Sequence, residues 1–342
     1  MEIKENFSLR QFNTFGIDVS AKYFAAFKSV EELSESLESK ALSSVICQLS
    51  SLILGGGSNI LFTKDYNGLV LKNEIGGIEK INEDADHVYV RAGAGVNWHE
   101  FVLYCIENEL AGAENLSLIP GSVGASPMQN IGAYGVEIKD IFHELEACSI
   151  ADKKQVDFSK ADCEFGYRES IFKNKYKGKF IITSVTYRLN KKPVFNTSYG
   201  AIEAELLKEG VHTLSIKAIS DAVISIRQSK LPDPVVIGNA GSFFKNPTVS
   251  NAQFAELKNK FPVIVGYPVN ENQTKLAAGW LIEKCGWKGY RNGDAGCHAR
   301  QALVLVNYGH VKGEEILQLS EKIINSVKFM FDVELKREVN IV

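Results

Sequence analysis

Three stretches of the chain combine residue types that can do chemistry. The longest, Leu118 to Gly135 (LIPGSVGASPMQNIGAYG), spaces Gly121, Gly124, Gly132 and Gly135, with Gly112 just upstream, among Ser122, Ser126, Gln129 and Asn130. Glycines permit positive φ and close backbone approach, and the small polar side chains add donors with little bulk. Pro120 and Pro127 stiffen the path, so the stretch suits a phosphate-bearing ligand. The plainer alternative is a long surface loop. Ile119, Val123, Met128, Ile131 and Tyr134 are spread through it and would anchor it to a core. A second stretch, Gly55-Gly56-Gly57-Ser58-Asn59, follows the apolar run Ser44 to Leu54 and reads as a strand feeding a glycine turn. It matches only part of a dinucleotide fingerprint, because Ile60 stands where the third glycine belongs, and alone it is a weak signal. The third, Gly238 to Pro247 (GNAGSFFKNP), carries Ser242, Lys245 and Asn246. No histidine lies near in sequence and GxSxG is absent, so Ser242 does not read as an esterase nucleophile. A serine in such a turn is commonly a local backbone hydrogen bonder.

Two isolated charges complete the candidates. Arg168, in Phe165-Gly166-Tyr167-Arg168, is either a surface charge or a fork that grips a carboxylate or phosphate by two bonds. Between Val333 and Ile341 the apolar positions Val333, Leu335, Val339 and Ile341 form one row broken by Arg337. Glu334, Lys336, Glu338 and Asn340 then face the other way, and such a strand can carry a carboxylate into a cleft.

The elements that must position these groups follow from periodicity. A strand at His87 to Arg91 leads through Ala92-Gly93-Ala94-Gly95, read as close packing at a turn. A helix then starts at Asn97 as N-cap, with Glu100 three residues on and Trp98, Phe101, Val102, Cys105 and Ile106 along one face. Alternation predicts strands at Ile141 to Ile150 and Phe180 to Leu189, separated by a charged segment. Ile216, Ile219, Val223 and Ile226 predict a helix over 215–229 that stops at Leu231-Pro232-Asp233-Pro234, taken as a domain boundary. Helices are expected at Gln253 to Lys260, Lys275 to Cys285 and Glu314 to Phe329, with a strand at Ala302 to Val306.

At 342 residues the chain should form two or three domains. With 45% hydrophobic and 23% charged residues it is globular, and a net charge of −3 offers no basic field to nucleic acid. The N-terminus lacks a secretory apolar region and no run approaches a membrane span, which places the protein in the cytoplasm. The six cysteines contain no CxxC pair and read as small buried apolar residues; the six histidines lack metal-ligand spacing, so no metal is implied.

Unaided, these features reach a cytosolic mixed α/β protein with a nucleotide-like ligand at two glycine loops and a polar site in a second domain. The motifs in order, however, resemble the UDP-N-acetylenolpyruvoylglucosamine reductase family, flavoenzymes that complete UDP-N-acetylmuramic acid for peptidoglycan. They run from Asn13-Thr14-Phe15-Gly16 through GGGSN, IPGSVGASPMQNIGAYG, FGYRES, KLPDP and GNAGSFFKNP to LAAGWLIEKCGWKG, RQALVLVN and Glu338-Val339. The resemblance implies an α+β architecture. An FAD-binding fold of the vanillyl-alcohol oxidase and p-cresol methylhydroxylase type would span 1–192, in subdomains of about 1–72 and 73–192. A tyrosine loop with a connecting helix would occupy 193–230, an α/β substrate-binding domain 231–332, and a terminal strand with Glu338 333–342. It implies non-covalent FAD held by Gly55, Gly56, Gly57, Ser58, Asn59, Pro120, Gly121, Ser126, Gln129, Asn130, Gly132 and Ile182. Tyr134, Tyr199, Lys230, Asn246 and Gln301 would meet the substrate, Tyr199 as the lid residue of the longer subfamily.

The implied chemistry has two halves: NADPH reduces FAD, then reduced flavin delivers hydride to C3 of the enolpyruvyl sugar nucleotide. Arg168 and Glu338 would hold the carboxylate through the enediolate-like intermediate, and Ser242 would protonate C2. Neither nucleic acid, membrane nor an obligate protein partner is implied. The family often ends its last strand Glu-Pro-Glu-Val-Arg, whereas this chain reads Lys336-Arg337-Glu338-Val339-Asn340, so the match of Glu338 rests on its following valine and its distance from Ser242. Another flavin oxidoreductase of the same cofactor fold, or a non-catalytic sugar-nucleotide binder, are the competing readings; the colour of the purified protein discriminates.

Overall fold

The computed structural model describes residues 1–38 and 50–342. The expected strand from Ser44 therefore lies partly outside the described residues, as does Cys47, and Ser51–Leu54 is the described strand. The chain forms two compact units. One comprises Met1–Phe7, Ala21–Gly57 and Asn67–Ser229; the other comprises Ser8–Ser20, Ser58–Tyr66 and Lys230–Val342.

The first unit is built on two sheets. In the four-stranded one, Lys4–Ser8, Ser20–Phe27, Tyr66–Asn73 and Ser51–Leu54 lie in that order, the last two parallel. The five-stranded one runs Gln155–Ser159, Phe142–Ser149, Phe180–Asn190, His87–Gly93, Ile78–Glu83, with antiparallel neighbours. Its central strand is buried continuously from Ile181 to Tyr187, as a strand covered on both faces must be. Two polar members of that run are satisfied by one residue of the next strand: Thr183 Oγ1 donates to Glu146 O at 3.1 Å and Ser184 Oγ to Glu146 Oε2 at 3.0 Å. Gln155–Ser159 falls in the segment expected to be a charged connection. Only Phe158 of its five residues is buried, so an edge strand gave no alternation to read.

The helix Trp98–Glu107 begins where its cap predicts, with Asn97 Oδ1 accepting from His99 N at 2.8 Å and Glu100 N at 3.3 Å. It buries Trp98, Phe101, Val102 and Cys105 against the sheet, each such side chain contributing about 1.5–3 kcal/mol. The AGAG turn is close packing, since a Cβ on Gly93 would lie 2.3 Å from Gly76 O and one on Gly95 2.6 Å from the Glu74 backbone. Helices Gly200–Lys208 and Ile216–Lys230 enclose a smaller core of Ile202, Leu206, Ile219, Ala222, Val223 and Ile226.

In the second unit Gly238–Ser242, Val304–Asn307, Ala295–Cys297 and Arg291–Asn292 form one sheet. The helix Gly313–Phe331 buries Ile316, Leu319, Ile323 and Val327. A second sheet of Thr248–Ser250, Gln273–Leu276 and Gly266–Asn270 corrects one expectation: Lys275 is in a strand, and the helix expected from it is Ala278–Lys284. Antiparallel partners on both sides of Gln273–Leu276 override its helical spacing. The final segment is also corrected. Val333, Leu335 and Val339 are buried as expected, but Ile341 is 37% exposed and only Asn340–Ile341 is a strand, parallel to Ile60–Leu61. Cys105, Cys148, Cys163 and Cys297 are buried, while Cys285 is partly exposed; burial pushes the Cys163 and Cys297 thiols up to about 12.

Candidate active site

In the first unit the two glycine loops run directly over one another. A Cβ on Gly55 would lie 2.4 Å from Ser122 Oγ, and one on Gly56 2.8 Å from Gly121 Cα. Gly57 and Gly121 have φ of 64° and 131°, conformations that glycine adopts without strain. The N–H groups of Gly55, Gly56 and Gly121 have no acceptor among the described residues. Lys72 Nζ donates to Gly55 O at 2.9 Å, which fixes that peptide's carbonyl to the protein side. Burial lowers the Lys72 pKa, with Glu74 opposing. Unpaired amides on stacked glycine turns fit the phosphates of a dinucleotide cofactor.

The central loop is pinned at Ile119, Met128 and Ile131 to the core of the five-stranded sheet, whereas Tyr134 packs on the smaller helical core. Beneath it Ser126 Oγ and Tyr187 OH are 2.7 Å apart and both buried, while Ser126 N donates to Val123 O at 3.0 Å and Ser126 O accepts from Ile131 N at 3.1 Å, so Ser126 supports the loop from below. Asn130 is fully buried. Its Nδ2 donates to Glu137 Oε2 and Gly166 O, both at 3.0 Å, and its Oδ1 accepts from Lys139 N at 3.0 Å. The structure thus makes Asn130 a staple of the loop. Ile182 is buried in the central strand, its carbonyl accepting from Asn73 Nδ2 at 2.8 Å. Pro120 is exposed and Gln129 half-buried on the same loop.

Arg168 is brought to this loop. Its Nη1 donates to Asn130 O at 3.3 Å and its Nη2 to Gly132 O, and its guanidinium lies 5.4 Å from the Tyr167 ring centre. Gly132 makes room for it, because a Cβ there would meet Nη1 at 2.9 Å. Asn130, Tyr134 and Arg168 have φ of 45°, 50° and 55°. Backbone held in this region costs of order 1–3 kcal/mol per residue and clusters at functional sites. Tyr199 is 49% exposed, and its ring meets that of Tyr134 edge-on at 5.4 Å.

The second unit brings Ser242 and Glu338 onto adjoining segments. Glu338 N donates to Phe243 O at 2.8 Å, Lys245 N to Lys336 O at 2.9 Å, and Phe244 bridges Arg337. Ser242, after Gly241 at φ 67°, is exposed, and its hydroxyl has no partner among the described residues. Asn59 and Asn340 lock the far end: Asn59 Nδ2 donates to Glu338 O at 3.4 Å and Asn340 Nδ2 to Asn59 O at 2.9 Å. Asn340 is therefore a backbone clamp. Asn246 Oδ1 accepts from Ala278 N at 3.0 Å and Gln301 Oε1 from Leu303 N at 3.3 Å. Among the described residues neither NH₂ group has an acceptor, so both amides remain able to donate. Lys230 is exposed. Lys72 was missed from the sequence, although a lysine interrupting the apolar run Leu69-Val70-Leu71 was a signal.

A family model described as UDP-N-acetylenolpyruvoylglucosamine reductase, C-terminal domain, matches residues 233–342, and one described as FAD binding domain matches residues 21–159. The chain is 52% identical over 342 residues to UDP-N-acetylenolpyruvoylglucosamine reductase of Amoebophilus asiaticus, covering 100% of both. Its identity to that of Flavobacterium johnsoniae is 51% over 343 residues, again covering 100% of both. The crystal structure of UDP-N-acetylenolpyruvylglucosamine reductase from Thermus caldophilus matches with a TM-score of 0.66 at 23% identity, over 99% of this chain and 98% of that one, and shares the fold.

Proposed function

The chain belongs to the UDP-N-acetylenolpyruvoylglucosamine reductase family, and from that premise we propose that Arg168, Ser242 and Glu338 are its catalytic groups. The protein is an FAD-dependent oxidoreductase that uses NADPH to reduce the enolpyruvyl group of UDP-N-acetyl-3-O-(1-carboxyvinyl)-glucosamine, giving UDP-N-acetylmuramate for peptidoglycan synthesis. Its mixed α and β fold joins an FAD-binding domain to the family's C-terminal domain. Among its described residues no helix is long and apolar enough to cross a membrane, and on this reading its ligands are the UDP-sugar enolpyruvyl ether and NADPH.

Bound FAD supplies two-electron chemistry, accepting hydride from NADPH and passing it to C3 of the enolpyruvyl group. The stacked glycine loops hold its phosphates through the amides of Gly55, Gly56 and Gly121, with Gly57, Ser58, Asn59, Pro120, Gln129, Gly132 and Ile182 as further contacts. Hydride addition at C3 drives charge through C2 onto the substrate carboxylate. Arg168, oriented by the carbonyls of Asn130 and Gly132, answers that carboxylate with the charge of its guanidinium. Glu338 serves only with its carboxyl as a hydrogen-bond donor, because a bare anion would oppose the growing charge. Ser242 then delivers its proton to C2; a weak acid suffices for so basic a carbon once it is positioned. Tyr134, Tyr199, Lys230, Asn246 and Gln301 hold the sugar nucleotide, Tyr199 as a lid.

The observation that carries this assignment is the main-chain bond from Glu338 to Phe243, which sets a carboxyl residue beside a serine that has an uncommitted hydroxyl. Purified protein should be yellow, be bleached by NADPH without oxygen, and regain colour on adding the enolpyruvyl substrate. Colourless protein that takes up no FAD would sink the reading.

A further inference from the structure

Arg168 has an acidic side chain for a neighbour. Gly132–Ala133 pairs antiparallel with Val136–Glu137 across the tight turn Tyr134-Gly135, and Gly132 stands directly opposite Glu137. Residues opposite one another in such a pair present their side chains on one face. On that face a Cβ on Gly132 would lie 2.9 Å from Arg168 Nη1 and equally 2.9 Å from Glu137 Cγ. The guanidinium and the acidic side chain therefore meet over the bare α-carbon of a glycine. Arg168 is fixed there by the carbonyls of Asn130 and Gly132.

Glu137 is itself committed. Its Oε2 accepts from Asn130 Nδ2 at 3.0 Å and from Lys139 Nζ at 2.8 Å, and its carboxylate also takes the N–H of Asp140 in the capping box of the short helix Ile138–Ile141. The bond to Glu137 raises the Lys139 pKa against the opposing effect of burial, and the charges of Glu137 and Asp140 add to the rise. Lys139 thus stays a cation. Its side chain is 42% exposed and that of Glu137 23%. Lys139, Glu137 and Arg168 are charges of alternating sign linked in series. A guanidinium can serve a ligand anion only with the charge that its own neighbours leave it, and a carboxylate beside it also repels an incoming carboxylate. Lys139 removes that handicap by answering Glu137 from the other side.

We propose that Glu137 and Lys139 are positioning residues that together set how much of the Arg168 charge is available to the substrate's carboxylate. Glu137 braces Asn130 and the guanidinium, and Lys139 cancels the charge that this bracing brings in. The inference rests on the reading of Arg168 as the group that holds the carboxylate. Two residues in contact then act with opposite sign: removing the lysine weakens the grip on a carboxylate, and removing the charge of the acid does not. A pair that served only the hairpin would lower stability in both variants and leave discrimination between ligands alone.

The test compares, by calorimetry on the FAD-loaded enzyme, binding of UDP-N-acetylmuramate with that of UDP-N-acetylglucosamine, the same sugar nucleotide without the lactyl carboxylate. The ratio of the two affinities isolates the carboxylate. In Lys139→Met this ratio should fall about 3- to 10-fold, and in Lys139→Arg it should return to the wild-type value. Glu137→Gln, which keeps an acceptor for Asn130, should match or exceed wild type, and adding Glu137→Gln to Lys139→Met should regain the loss. A ratio unchanged in Lys139→Met, or lowered equally in Glu137→Gln, would overturn the proposal. If Glu137→Gln does not fold, Lys139→Met against Lys139→Arg decides alone, because the lysine side chain reaches solvent. Arg168→Met separates the premise: its ratio should collapse, and a ratio kept in that variant removes Arg168 as the holder of the carboxylate, whatever the lysine variants show.

Discussion

Asn130 in the first unit and Ser242 in the second stand at opposite ends of a range. Asn130 is fully buried and each polar atom of its side chain is bonded within the protein, and the Arg168 guanidinium beside it is tied to two loop carbonyls. Ser242 is exposed, its hydroxyl has no partner among the described residues, and its position comes from main-chain pairing of its neighbours with the segment around Glu338. The first region spends its side chains on holding a strained backbone. The second holds its backbone through register and keeps a side chain in reserve. Geometry and reactivity are thus assigned to different residues, and substitutions in the two regions should fail in different ways.

The largest effect belongs to Ser242→Ala. Loss of a positioned acid should slow the reoxidation of reduced enzyme by the enolpyruvyl substrate about 10²- to 10⁴-fold, roughly 3 to 5 kcal/mol of barrier. Unfolding free energy should stay within ~0.5 kcal/mol of wild type, and Ser242→Cys should recover part of the rate. Rapid mixing resolves the two half-reactions; a normal oxidative half-reaction would return this serine to a backbone role and erase the contrast.

Asn130→Ala should fail in the other direction. It leaves the partly buried Lys139 N–H without its acceptor and takes one of two donors from the Gly166 carbonyl, which keeps the Glu169 N–H; together this costs about 1–3 kcal/mol. The urea midpoint should fall and FAD should be lost more readily on dilution. An unchanged midpoint would mean that the loop holds its left-handed turns without this amide.

Lys72→Met sharpens the comparison with the smallest change. Most of the aliphatic stem is kept while the bond to Gly55 O disappears, so FAD should bind about 5- to 10-fold more weakly, roughly 1–1.4 kcal/mol. Flavin titration of apo-protein reads this directly. A loss of fold stability exceeding the loss of flavin affinity would show that Lys72 supports the sheet instead of the loop.

Much of this was legible in the sequence where a local cause dominates. Asn97 capped its helix because side-chain capping is decided within four residues, and the apolar row of Ile216–Lys230 buried as its spacing required. Legibility failed where partners are distant. Gln273–Leu276 is a strand because of its neighbours on both sides, and the membership of Ser8–Ser20 and Ser58–Tyr66 in the second unit has no local signature. At the site, the glycine loops and Arg168 were visible as residue types. That Asn130 and Ser126 turn inward, and that Lys72 reaches a loop carbonyl, depended on which group lies across from them.

The clamp between Asn340 and Asn59 joins residues 281 positions apart, and that separation sets a timetable. Translation at about 5–20 residues per second brings the two ends of this contact into existence roughly 15–60 s apart. During that interval Ile60, Leu61 and Phe62, all buried in the finished molecule, await the residues of their own unit. A nascent chain of this enzyme therefore carries a period of vulnerability to aggregation and proteolysis, which a flavin added early cannot shorten.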